Sequence, residues 1–179
     1  MQNLIALLDR PIVLVGLMGV GKSTIGRRLA QRLGLPFIDS DSAIEEAAGA
    51  SAGDVFDRYG EVEFRDGERR LVARLIDGDV RVIATGGGAF IDPATRRLLN
   101  DRTITVWLDA PVAVLAERTG RTNTRPLLRD GDRAATLARL SDERRAFYAE
   151  AHIHVLSDEG AHANVVDAII AAVHARLSA

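Results

Sequence analysis

The chain has no cysteine, which excludes a disulfide framework and any thiolate metal site and fits a reducing compartment. Lysine is nearly absent as well: of the 23 basic residues only Lys22 is a lysine, and the rest are arginines. Aromatic residues make up just 4% of the sequence, with Trp107 the single tryptophan, so the core must be built from aliphatic side chains. Nor is there surplus positive charge. A formal net charge of -2 argues against a general binder of nucleic-acid backbones, which needs an excess of Lys and Arg, so any anion site is local. No stretch approaches the roughly 18 apolar residues of a membrane span. Met1 to Arg10 also lacks the basic residues that precede the apolar run of a secretory leader. A soluble, untargeted, cytoplasmic protein is expected, with neither a nucleic acid nor a membrane as partner.

At 179 residues, one compact domain can bury most of its apolar surface, and a single domain over 1–179 is expected. Pro11 to Val15 is a short continuous apolar run ending at Gly16, the pattern of a strand buried on both faces of a parallel sheet. Lys22 to Leu33 then carries Ile25, Leu29, Ala30 and Leu33 at helical spacing, and Gly34 and Pro36 stop that helix. Further strands are read at Pro36 to Asp39, Arg81 to Ala84, Thr103 to Leu108 and His152 to Leu156. Helices are read from Pro111 and from about Ala163 to Leu177. Strands alternating with helices imply an α/β fold, a three-layer α/β/α sandwich around a five-stranded parallel sheet with ligands at the carboxyl ends of the strands. The core takes in 11–39, 78–119 and 134–179. Two long connections interrupt it, a mostly helical insertion over about 40–77 and an Arg- and Gly-rich segment over about 120–131. Such connections tend to be lids or binding loops.

Gly16 to Ser23 reads G-L-M-G-V-G-K-S and matches the phosphate-cradling pattern G-x-x-x-x-G-K-[ST], between a buried strand and a helix start as the mechanism requires. The glycines let backbone N–H groups turn toward phosphate oxygens, the helix N-terminus adds positive partial charge, Lys22 reaches the β- and γ-phosphates, and Ser23 offers its hydroxyl to magnesium. That the only lysine stands here strengthens the reading. Asp39 and Asp41, two apart at the end of the second strand, share a face if extended. One carboxylate can serve magnesium and the other a hydroxyl, while the same residue types also cap helices. Gly86, Gly87 and Gly88 follow an apolar strand, and their backbone can approach a ring with no Cβ in the way. Arginines recur from Arg118 to Arg133, but Pro126 breaks any continuous helix; a lid over a triphosphate suits this segment. Glu150, His152 and His154 superficially suggest a metal site, yet Glu150 reads as the end of a helix, and partly exposed side chains are expected. Trp107 and Phe90 read as core or pocket wall.

Taken in order, the P-loop, Asp39-Ser40-Asp41, Phe64-Arg65 with Glu68, Ala84 to Gly88, Arg125 to Leu128, and Arg144 four before Tyr148 resemble the motifs of shikimate kinases over nearly the whole chain. The resemblance implies transfer of the γ-phosphate of ATP to the 3-hydroxyl of shikimate by a monomer with Mg2+ as cofactor. It implies that Gly19, Val20, Gly21, Lys22, Ser23 and Thr24 hold the nucleotide, with Ser23 and Asp39 on the metal. Arg65 and Arg144 are then expected on the substrate carboxylate, Gly87 as a backbone donor between Gly86 and Gly88, and Asp41 on the attacking hydroxyl. Arg125 is implied to cross the triphosphate as a catalytic residue beside Asp41 and Lys22, and Arg118 to lie beside adenine. Arg65 and Glu68 are spaced for a helical ion pair. A gluconate-type kinase and a non-catalytic P-loop nucleotide-binding protein are the alternatives. A GTPase is disfavoured, because no second lysine exists to supply an N-K-x-D base-reading motif.

Overall fold

The computed structural model describes residues 2–120, 132–157 and 162–178. In chain order it runs α1 (Gln2–Leu7), β1 (Ile12–Val15), α2 (Lys22–Leu33), β2 (Phe37–Asp39), α3 (Ser40–Ala48), α4 (Ala52–Ile76), β3 (Val82–Ala84), α5 (Pro93–Arg102), β4 (Ile104–Asp109), α6 (Val112–Gly120), α7 (Arg133–Tyr148), β5 (Ile153–Leu156) and α8 (His162–Leu177). Residues 121–131 of the expected lid, Arg125 among them, lie outside the described residues.

The five strands form one parallel sheet in the order β2-β3-β1-β4-β5. β1 sits at its centre, and Ile12, Val13, Leu14 and Val15 are all buried, as their unbroken apolar run requires of a strand covered on both faces. Helix α2 turns Ile25, Leu29, Ala30 and Leu33 inward, the four residues its periodicity singles out. Burying each of the larger ones contributes about 1.5–3 kcal/mol.

Helix begins at Ser40, at the expected start of the insertion, so Asp39 and Asp41 do not share a face of an extended strand. Asp39 ends β2 and caps α3, its carboxylate accepting from the Asp41 amide at 3.1 Å, while Asp41 stands in the first helical turn. Capping wins because the strand has no partner beyond the Asp39–Ala84 pair, whereas the exposed helical N–H groups need an acceptor. Helix α4 is broken at Gly60, where φ is 83° and ψ is 172°, a conformation that favours glycine. The kink lets Phe56 and Phe64 meet edge to face, with centroids 5.5 Å apart. At the other end of the sheet, β5 starts at Ile153 rather than His152. His152 is turned onto β4, where its Nδ1 accepts from the Thr105 amide at 3.2 Å.

Gly26 offers a test of packing against propensity. A Cβ added there would lie 2.5 Å from the Phe37 ring and 3.3 Å from Leu14. Alanine gains about 1 kcal/mol over glycine in a helix interior, but overpacking of this kind costs about 1–3 kcal/mol. Gly26→Ala should therefore lower stability in urea unfolding, and a rise would show that β2 yields freely.

Candidate active site

The loop from Gly16 to Gly21 joins the end of β1 to α2. Gly16, Gly19 and Gly21 all have positive φ, so the backbone wraps around the mouth of the helix. The first turn of α2 carries no acidic side chain, leaving its positive end free to attract an anion. Lys22 is 9% exposed, and its Nζ donates to the carbonyls of Gly16 at 2.8 Å and Leu17 at 2.9 Å. The ammonium is thus folded over the loop it follows. Val20 is buried, so only its backbone is open to a ligand. Its carbonyl accepts from Ser157 Oγ at 3.2 Å and Arg118 Nη1 at 3.4 Å, which brings Arg118 to the rim of the loop. Thr24 is exposed in the first helical turn.

Ser23 Oγ donates to Asp39 Oδ2 at 2.5 Å, so this carboxylate caps α3 with one oxygen and meets the P-loop serine with the other. A hydroxyl and a carboxylate are hard oxygen donors of the kind magnesium prefers. Magnesium also characteristically takes only one or two carboxylates, completing its shell with phosphates and water. Among the described residues no group of three or more His, Cys, Asp or Glu could hold a metal by itself. The donor set therefore fits a cation that arrives with a nucleotide.

Next to this cradle lies a cavity of about 520 Å³, walled by Asp41, Arg65, Gly86 to Gly88 and Arg144, by Phe56 and Phe64 from the kinked helix, and by Met18 from the P-loop. The glycines are there because of close approach. A Cβ at Gly86 would lie 2.5 Å from Asp41 Oδ1 and 3.2 Å from Glu68 Oε1, and one at Gly88 would collide with the Arg65 guanidinium. The three glycine carbonyls are engaged by protein donors. Gly86 O accepts from the Ala89 amide and Gly88 O from the Ile91 amide, while Gly87 O takes Tyr148 Oη at 2.5 Å and Arg144 Nη1 at 3.3 Å. A loop whose acceptors are engaged presents its remaining N–H groups as donors.

Arg65 Nη1 donates to Glu68 Oε2 at 2.6 Å, and Glu68 is only 2% exposed. Burial raises the Glu68 carboxyl above the usual glutamate range; Arg65 pulls against that rise, and Asp41 and Asp92 add to it. The helical spacing thus forms the expected ion pair, with the carboxylate as the buried partner.

Thr85 is buried, its hydroxyl donating to Leu14 O at 3.1 Å. Sequence reasoning overlooked Ser40, whose buried Oγ accepts from the Gly86 amide. It also overlooked Met18, Phe56, Asp57 and Glu61 in the cavity wall, and His162, whose Nε2 would stand 3.8 Å from a Cβ at Gly21. Glu61, four residues before Arg65 on the same helix, carried the one readable signal, since helical spacing puts both on one face.

Fold and site together place the chain among P-loop phosphotransferases with a small-molecule acceptor. The shikimate kinase family model matches residues 18–174. A relative named shikimate kinase from Rhodopseudomonas palustris is 49% identical over 97% of this chain and 86% of its own. Another of that name from Zymomonas mobilis is 52% identical over 92% of this chain and 93% of its own. The structure of the Acinetobacter baumannii shikimate kinase in complex with shikimate superimposes with a TM-score of 0.89 at 38% identity, covering 93% of this chain and 94% of that one. The chain belongs to the shikimate kinase family. A gluconokinase from Sinorhizobium meliloti, at 18% identity and a TM-score of 0.64 over 94% of this chain and 93% of that one, shares the fold alone.

A carboxyl with a raised folded-state pKa favours folding while protonated and loses that contribution as pH climbs from the unfolded value through the folded one. Glutamine escapes this loss. Glu68→Gln should therefore gain melting temperature relative to wild type as pH rises from the ordinary value of 4.5, while binding the acceptor more weakly because Arg65 loses its charged partner. A constant difference in melting temperature between about pH 4 and pH 8 would contradict the buried-carboxylate account.

Proposed function

We propose that this shikimate kinase holds its acceptor by the carboxylate between Arg65 and Arg144, with Asp41 turned to the hydroxyl that receives the γ-phosphate of ATP. The observation that carries the reading is the meeting of the two loops: Gly87 stands beside Met18 N and Gly16 O of the P-loop, so acceptor and phosphate donor share a wall. The cavity mixes two arginines with the carboxylates of Asp41, Asp57, Glu61 and Glu68. That mixture suits a ligand with one planar anion and several hydroxyls. Guanidinium forks match the carboxylate, and carboxylate oxygens accept from the hydroxyls.

In the reaction, Lys22, the P-loop amides and the α2 N-terminus hold the β- and γ-phosphates. Ser23 and Asp39 hold magnesium, which when bound neutralises phosphate charge. Asp41 aligns the 3-hydroxyl and accepts its proton as the bond to phosphorus forms. Because phosphoryl transfer is largely dissociative, alignment and electrostatics carry most of the acceleration, and little proton removal is needed early. Glu68, fixed beneath Arg65, keeps that guanidinium aimed at the cavity. The reading is of a single domain acting as a monomer. We place it in the cytoplasm, where ATP is available; among the described residues no helix is long and apolar enough to cross a membrane.

A coupled assay of ADP release, with shikimate, with gluconate and with neither, tests the reading. Release should depend on shikimate, and release driven equally by gluconate would favour a gluconate-type kinase. Arg65→Ala and Arg144→Ala should each weaken shikimate binding by about 1.5–3 kcal/mol, the worth of a hydrogen bond to a charged group, with the KM for ATP nearly unchanged. Equal losses for both substrates would count against carboxylate recognition.

A further inference from the structure

Tyr148 plays no part in the chemistry above, yet its setting is unusual for a core side chain. It is 2% exposed, and it ends α7 one helical turn after Arg144. Its ring is stacked against Phe90 with centroids 6.5 Å apart and against Trp107 at 6.1 Å. A buried phenol needs a partner for its hydroxyl, and any nearby carbonyl would satisfy that need. The partner here is Gly87 O, at 2.5 Å, the middle carbonyl of the glycine turn. Burial pushes the phenol up to about 12, against the pull of Arg144 and Arg65, so it remains a donor throughout the neutral range.

The turn needs such a hold. Glycine has no side chain to wedge its peptide planes in place, so hydrogen bonds set their orientation. Its two ends are fixed by Ser40 and by the Ala89 and Ile91 amides. Gly86 and Gly88 lie directly against Asp41 and Arg65, so a rotation at Gly87 would move the backbone on which both side chains rest. Among the described residues, the other donor to Gly87 O besides Tyr148 is Arg144, at the longer distance of 3.3 Å, and that guanidinium is the one the proposed reading calls to the substrate carboxylate.

We infer that Tyr148 is a positioning residue for the acceptor: its hydroxyl holds the Gly87 peptide in place, which leaves the Arg144 guanidinium free to engage the carboxylate. Without the hydroxyl, Arg144 is left to hold Gly87 O alone, in competition with the substrate. The inference rests on the acceptor site proposed above.

Tyr148→Phe keeps the ring stack and removes only the donor. Steady-state kinetics in both substrates, a shikimate dissociation constant by calorimetry and a melting temperature should be measured on the same preparations. The KM and dissociation constant for shikimate should rise by about three- to tenfold, the effect of one lost hydrogen bond. The KM for ATP should stay within about twofold, and the melting temperature should fall by no more than about 4 °C. Trp107→Phe keeps the hydroxyl and loosens the stack. It should lower the melting temperature and leave the KM for shikimate within about twofold. Where wild type shows shikimate-dependent ADP release, two outcomes overturn the inference: an unchanged shikimate KM in Tyr148→Phe, or a rise in both KM values in step with lost stability, which marks a merely structural residue. Wild-type protein without shikimate-dependent ADP release would overturn the acceptor assignment and the tether with it. Normal wild-type activity with an unaffected variant overturns the tether alone.

Discussion

The close approach of two glycine turns is the constraint on which the rest of the site depends. Strands β1 and β3 are neighbours, with Leu14 opposite Ala84, and paired strands lie only about 4.8 Å apart. The loops that leave their carboxyl ends must therefore share a narrow space. Gly87 accordingly stands against Met18 N and Gly16 O. Because Gly87 brings only backbone to this contact, the phosphate cradle and the acceptor cavity come close together, with Met18 of the P-loop forming part of the cavity wall. Proximity of this kind, fixed before substrates arrive, is what phosphoryl transfer most needs from a protein.

Around that contact the charged groups are placed so that each steadies another. Asp39 joins the cap of α3 to the P-loop serine, and thereby links the start of the insertion to the nucleotide side. Glu68 is buried at an electrostatic cost and anchors Arg65, whose own side chain is 25% exposed and reaches the cavity. Removing one partner of such a pair leaves an uncompensated charge. Arg96 draws together the Phe90 and Ile91 carbonyls and Glu150, which ties α5 to the exit of the glycine turn and to the segment that follows α7.

Much of this was legible in the sequence. The apolar run before Gly16 and the spacing of Ile25, Leu29, Ala30 and Leu33 located β1 and α2, because a buried parallel strand and an amphipathic helix each leave a distinct period. Asp39 and Asp41 were recognised as functional candidates and helix capping as the other use of such residues; which geometry applied was not legible, since whether a residue ends a strand or opens a helix is decided by where pairing stops. Helix α5 went unread although Asp92 and Pro93 carry a cap followed by proline at the helix start; Asp92 indeed accepts from the Thr95 amide. The kink at Gly60 was hidden inside a helical pattern. Ser40 and Tyr148 stood in the sequence only as members of the motifs Asp39-Ser40-Asp41 and Arg144 four before Tyr148; their own roles were not legible, because they lie in contacts 46 and 61 residues away along the chain.

The most direct test of the account uses the scarcity of lysine. An amine-acylating reagent has two targets in this chain, Lys22 and the N-terminal amine, and mass spectrometry can follow both. If Lys22 belongs to the phosphate cradle, magnesium-ATP will protect it while the N-terminal amine stays reactive, shikimate alone will protect far less, and activity will fall in step with labelling at Lys22. Full activity after complete acylation of Lys22 would contradict the account.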